Sequence, residues 1–212
     1  MTLKRHPILA TVLVFVIPSL VFAEDRIWTG AVDNNFLNAG NWDSGLPSSD
    51  EDLVVIDGGS NLPVTIPVDA GEILVGGFQL GTTGETGGQI VQNGGTLVVA
   101  PISQDGLFTD FEFKSHIGDR GTLPSSYVMN NDAVMLYDGP MSAEGFGFGG
   151  NGENEFDLEI GARTGEAIGR LEMHDNSVLR ISDDLKIGAE ENGNGYVLLD
   201  GNAVATMGSG IS

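Results

Sequence analysis

From residue 78 onward, short runs of alternating apolar and polar residues follow one another along the chain. In "RLEMHD" (170–175) and "VLRIS" (178–182) the two kinds of residue largely alternate, the pattern of a strand with one buried and one solvated face. Gly, Asn or Asp close the runs, the residues that tolerate the positive φ of tight corners. No segment beyond residue 23 carries a 3.6-residue apolar period with caps at its ends. The pattern therefore predicts an all-β protein.

The alternation itself repeats. Four segments, 78–99, 115–136, 158–181 and 185–207, align with one another. Each opens on an aliphatic residue and a Gly: Leu80-Gly81, Ile117-Gly118, Ile160-Gly161 and Ile187-Gly188. A polar loop and a short apolar strand follow, then a polar corner: Asn93-Gly94-Gly95, Asn130-Asn131-Asp132, His174-Asp175-Asn176 and Asp200-Gly201-Asn202. A small residue and an aliphatic close each unit, and the distance from leading Gly to closing aliphatic is 16, 16, 17 and 16 positions. A unit with about three short strands cannot bury its apolar face alone; stacked on its copies, it can. The prediction is a parallel β-helix, or β-solenoid, with one coil per repeat over residues 71–212. Right-handed winding is expected, as for other parallel crossovers. In each coil the leading aliphatic would point inward and the Gly would turn the chain. Coils about 4.8 Å apart make four of them a short rod.

Residues 24–70 stand outside the repeat. Trp28 and Trp42, the two tryptophans, flank Phe36 and Leu37, and "DLVVID" (52–57) reads as a buried strand. An uncovered end coil pairs with any edge it meets, so 24–70 is read as an N-terminal cap. The rival reading is an aromatic platform for carbohydrate. Ahead of it, Lys4, Arg5 and His6 precede an apolar run, 8–23, that ends in "VFA" and is followed by "EDR". This is the layout of a secretory signal, 1–23, cleaved after Ala23. The run is shorter than the roughly 20 residues of a membrane span, and no later segment is long and apolar enough to be one. The expected location is secreted or at the cell surface.

Composition narrows the partners. The formal charge is −21, and two units more negative without Lys4 and Arg5. Such a chain is repelled by nucleic-acid phosphate and by anionic lipid. There is no cysteine, hence no disulfide, no thiolate metal site and no cysteine nucleophile. Gly makes up 32 of 212 residues, about twice the usual share, without the strict three-residue period of collagen.

The run "W…NNF…NWDSGLPSSDEDLVVI" (28–56), followed by units of aliphatic-Gly, loop, strand and Gly/Asn corner, resembles secreted bacterial β-solenoid repeat proteins. These are the autotransporter-passenger-like proteins and the surface proteins of planctomycetes that carry a PEP-CTERM-type sorting signal. The likeness covers most of the mature chain and is degenerate in detail. It implies an exported, non-enzymatic repeat protein of the cell surface or extracellular matrix, structural or adhesive, facing glycans, cations or other surface proteins. The chain ends at "MGSGIS" without the cap, sorting tail or barrel of that pattern, so a fragment of a longer product is expected.

Candidate chemistry is sparse. "GGNGENEFD" (149–157) resembles a calcium-binding nonapeptide with Asn154 where Asp is usual. With the acidic pair Asp183-Asp184 it supplies the candidate calcium ligands Asn154, Asp157, Asp183 and Asp184, oxygen donors suited to a hard cation. Asp50-Glu51-Asp52 and Glu190-Glu191 are further acidic clusters, read first as solvated loop charge. The alternative function is a carbohydrate-active β-helix enzyme, a polysaccharide lyase or glycoside hydrolase. It would draw on Asp183, Asp184, His174 and Asp175, with Arg170, Arg180 or Lys186 as the basic group, and would need them in one groove. His174-Asp175 falls on the repeat's corner and His116 beside a leading Ile-Gly, both structural places. No Ser-His-Asp order, phosphate loop or HExxH helix is present. No catalytic residue and no cofactor is assigned.

Overall fold

The computed structural model describes residues 24–50, 52–82, 87–100, 115–120, 122–137, 158–161, 167–182, 184–188, 193–208 and 210–211. Strand β1 (Glu24–Ile27) is followed by five sets of three. The first set is β2 (Asp52–Ile56), β3 (Val64–Ile66) and β4 (Glu72–Val75). The second is β5 (Gly77–Leu80), β6 (Gln89–Gln92) and β7 (Thr96–Val99), and the third β8 (Ser115–Ile117), β9 (Ser125–Met129) and β10 (Val134–Tyr137). The fourth is β11 (Leu158–Ile160), β12 (Ile168–Met173) and β13 (Val178–Ile181), and the fifth β14 (Asp184–Ile187), β15 (Asn194–Leu199) and β16 (Val204–Met207). Strand β17 (Gly210–Ile211) opens another turn.

Neighbouring sets pair strand by strand, always in parallel. The sheets run β1-β2-β5-β8-β11-β14-β17, β3-β6-β9-β12-β15 and β4-β7-β10-β13-β16. We call them the first, second and third faces. The chain is a parallel β-solenoid, each coil crossing all three faces in turn.

The alternation read from the sequence is the in-out alternation of these strands. On the first face, Ile56, Leu80, Ile117 and Ile160 stack in register and are fully buried. Ile90, Tyr127 and Leu171 do the same on the second face, and Val99, Tyr137 and Ile181 on the third. Each such aliphatic leaves water at about 1.5–3 kcal/mol, and only the stacking of coils makes that burial available.

The leading glycines continue the ladder into the corner. The N–H groups of Gly81, Gly118, Gly161 and Gly188 donate to Ile56, Leu80, Ile117 and Ile160 of the preceding coil at 2.8–3.0 Å. Gly118 turns at φ 79, and a Cβ there would lie 2.6 Å from the Ile168 carbonyl oxygen. At the opposite corner Asn131, Asp175 and Gly201 occupy the same left-handed region, at φ 55, 58 and 70.

Two features depart from the repeat pattern. Four coils are expected from residue 78 onward; the structure adds one before them. The leading glycine of this first coil is displaced by one position, Ile56-Asp57-Gly58 with Gly58 at φ 80, so it does not align with the others. Strands β2 and β3 also lie within the segment read as cap, 24–70, and the ladder therefore begins inside it. Residues 24–50 cover the end of that first coil. Trp28, Phe36 and Trp42 are buried edge to face, with centroid separations of 5.1 and 5.0 Å. The Trp28 indole donates to Ser60 O at 3.1 Å and that of Trp42 to Phe36 O at 2.9 Å. Their burial removes these rings from the role of an aromatic carbohydrate platform.

Carboxylates hold the cover in place. Asp52 accepts from Arg26 Nε at 2.8 Å and from the N–H groups of Ser48 and Ser49 at 2.9 and 3.0 Å. Burial works against its charge, but the Ser48 N–H and Arg26 outweigh it and hold the carboxyl below its ordinary range. Asp33 is likewise lowered, by the side chains of Asn41 and Asn38 and the N–H of Asn35.

Candidate functional site

The second face carries a shallow outward groove. Register fixes its composition. Gln89, Ser126, Arg170 and Tyr196 stand in one line along the solenoid, one residue from each successive coil. Thr65, Val91, Val128, Glu172 and Leu198 form the adjacent line. Both lines point outward because the residues between them, such as Ile90, Tyr127 and Leu171, point into the core. Pro124 and Ile168 join Gln89, Ser126, Val128, Arg170 and Glu172 in lining a shallow groove of about 360 Å³.

The polar groups of this face are organised in pairs. Arg170 Nη1 lies 2.9 Å from Glu172 Oε1, and the guanidinium carbon sits 4.9 Å from the centre of the Tyr196 ring, a cation-π contact. His174 Nε2 is 3.4 Å from Glu172 Oε2, and its Nδ1 is 3.7 Å from Asp200 Oδ2. Arg170 and Glu172 are the only charged residues on the five strands of the face. On a chain of formal charge −21, this is a locally neutral surface. Tyr196 remains 47% exposed beside its Arg170 partner, so an aromatic surface is available next to amide, hydroxyl and guanidinium groups.

Behind the groove the wall is fixed. Tyr127 donates its phenol to Gln92 Oε1 at 2.9 Å, while Gln92 Nε2 donates to Gly95 O and Val134 O at 3.1 and 3.0 Å. Complete burial pushes the Tyr127 phenol far up, keeping it a donor. Beside the groove an amide ladder ties the corners together. Asn130 donates to Asn93 at 3.1 Å, Asn176 to Asp132 at 3.1 Å and Asn202 to Asn176 at 3.1 Å.

The candidate residues fall in different places. Asn154, Asp157 and Asp183 lie outside the described residues, as do Glu51, Glu190 and Glu191. Asp184 is half-buried on the outer side of β14, on the first face, with Lys186 two residues on. Arg180 stands exposed on the third face, a different face from the one that carries Asp184 and Lys186. Asp52 belongs to the cover's latch rather than to an open acidic surface. Asp175 is a corner residue that accepts from Asn131 N–H at 2.9 Å. His116 is buried on the first face, its Nδ1 3.2 Å from Glu159 Oε2. No group of three or more His, Asp or Glu side chains suited to a metal ion occurs among the described residues.

Gln89, Ser126, Glu172 and Tyr196 are not singled out by residue type. The signal for them lies in the repeat: each stands at an equivalent outward position, four or two places before the residue that starts its corner. No family model matches the chain, no curated protein matches it, and no solved structure matches it. The fold and the site define its class, a parallel β-solenoid with a covered first coil and an outward groove on the second face.

Proposed function

We propose that this chain is an exported, non-enzymatic repeat protein of the cell surface or extracellular matrix, with a structural and adhesive role. The observation that carries the reading is the deployment of its reactive side chains. His174 and Asp175 serve the corner, Asp52 latches the cover, and Arg180 is separated from Asp184 and Lys186 by a change of face. What is left outward on the second face is a regularly spaced, charge-balanced and partly aromatic surface, a scaffold for contact rather than for proton transfer. Export rests on the basic and apolar leader 1–23 with its cut after Ala23. No helix among the described residues is long and apolar enough to cross a membrane.

The test has two parts. Expressed with its leader in a bacterial host, the protein should be recovered outside the cytoplasm with Glu24 as its first residue, by mass spectrometry. Beads coated with it should then adhere to an insoluble cell-wall and matrix preparation without releasing reducing ends or unsaturated uronates. Recovery in the cytoplasm with an intact leader, or release of such products, would overturn the reading.

A further inference from the structure

We infer that the groove on the second face binds an extended, uncharged polysaccharide lying along the solenoid axis across successive coils. The inference rests on the adhesive reading above and gives that surface its ligand class. Three observations lead to it.

The first is spacing. Gln89, Ser126, Arg170 and Tyr196 lie in register on adjacent strands, so their backbones recur about every 4.8 Å. That interval is close to the length of one pyranose in an extended chain. A polymer with a regular repeat therefore meets one outward side chain per sugar.

The second is chemistry. The line offers an amide, a hydroxyl, a guanidinium and a phenol, groups that donate to or accept from sugar hydroxyls. On the strand next to the groove's lining, the Tyr196 ring, 47% exposed beside Arg170, adds an apolar plane for the C–H side of a pyranose. Pro124, Val128 and Ile168 furnish apolar lining among the polar groups, the usual mixture of a small-ligand site.

The third is charge. The face's two strand charges, Arg170 and Glu172, are spent on one another at 2.9 Å, and the molecule around it is strongly acidic. An anionic polysaccharide would meet a repulsive field with no unpaired cation on these strands to receive its carboxylates. A basic polymer would be drawn to the acidic remainder of the surface and gain nothing from this face. A neutral chain fits it best.

Isothermal titration calorimetry on the purified protein with cellohexaose, mannohexaose and hexagalacturonate tests the inference. At least one neutral hexasaccharide should bind, with affinity nearly independent of added sodium chloride, and hexagalacturonate should bind more weakly. Arg170→Ala and Tyr196→Ala should each weaken binding by about tenfold, the loss of one good polar or stacking contact. Ser126→Trp, which fills the groove without touching the core, should abolish it. Circular dichroism melting confirms that each variant is folded. Failure of both neutral sugars to bind, preference for hexagalacturonate, or unchanged affinity in the folded Ser126→Trp variant would overturn the inference. If beads still adhere to the matrix preparation while the sugars fail, the ligand class is wrong and the adhesive role stands. If adhesion also fails, both fall.

Discussion

Gly118 shows how one residue can be required by the geometry around it. It turns at φ 79 with the Ile168 carbonyl 2.6 Å from where a Cβ would be, and its N–H donates to Leu80 O at 2.9 Å. Gly118→Ala must therefore strain the backbone or break the corner. We expect a loss of roughly 2 kcal/mol or more in urea denaturation. Asp52 makes a prediction with a sign. Its folded carboxyl is held below the ordinary value of 3.8, so its contribution is present above about pH 4 and is lost as pH falls through the lowered folded value. Asp52→Asn should flatten the acid limb of the stability profile, measured by melting from pH 6 down to pH 2. The leading glycines were legible in the sequence because sterics allow so few alternatives at that place. Gly58 was not, since one inserted residue, Asp57, moves it out of alignment without moving its corner. Asn41, buried and accepting from Val32 and Asp33 N–H at 2.9 and 3.0 Å, was equally hidden, because its role depends on a loop with no repeat to compare.

At the scale of elements, the cover and the corners do different work. Among the described residues, strand β1 pairs only with β2, and the aromatic trio seals the core behind it. Trp42→Ala opens a cavity there and removes the hydrogen bond to Phe36 O. The cost should be about 3 kcal/mol or more, with hydrogen exchange rising first at β1 and β2. The exposed amide ladder should matter less. Asn176→Ala cuts the links to both Asp132 and Asn202, and a loss of about 1 kcal/mol is expected from the denaturation midpoint. Strand existence and the in-out sense of each side chain follow from the period of two. The face on which a strand lies does not, because alternation is the same on all three. That is why the alternation does not tell that Arg180 and Lys186, six residues apart in sequence, stand on different faces.

The whole molecule is a stack in which each coil meets only its neighbours, and this makes its behaviour modular. Removing residues 115–157, the third coil with its following segment, brings β11 into the place of β8 in the same face order. The shortened protein should still fold, with a smaller urea m-value in proportion to the surface lost. The central claim is the in-register parallel stacking itself, and the absence of native cysteine permits a direct check. Thr96, Val134 and Val178 are partners on three successive third-face strands. Adjacent partners are about 4.8 Å apart and the outer two about twice that, within and beyond disulfide reach respectively. Double cysteine variants at 96/134 and at 134/178 should cross-link on mild oxidation, and the 96/178 pair should not. Cross-linking of 96/178 in place of the adjacent pairs would contradict the stacked order of the coils.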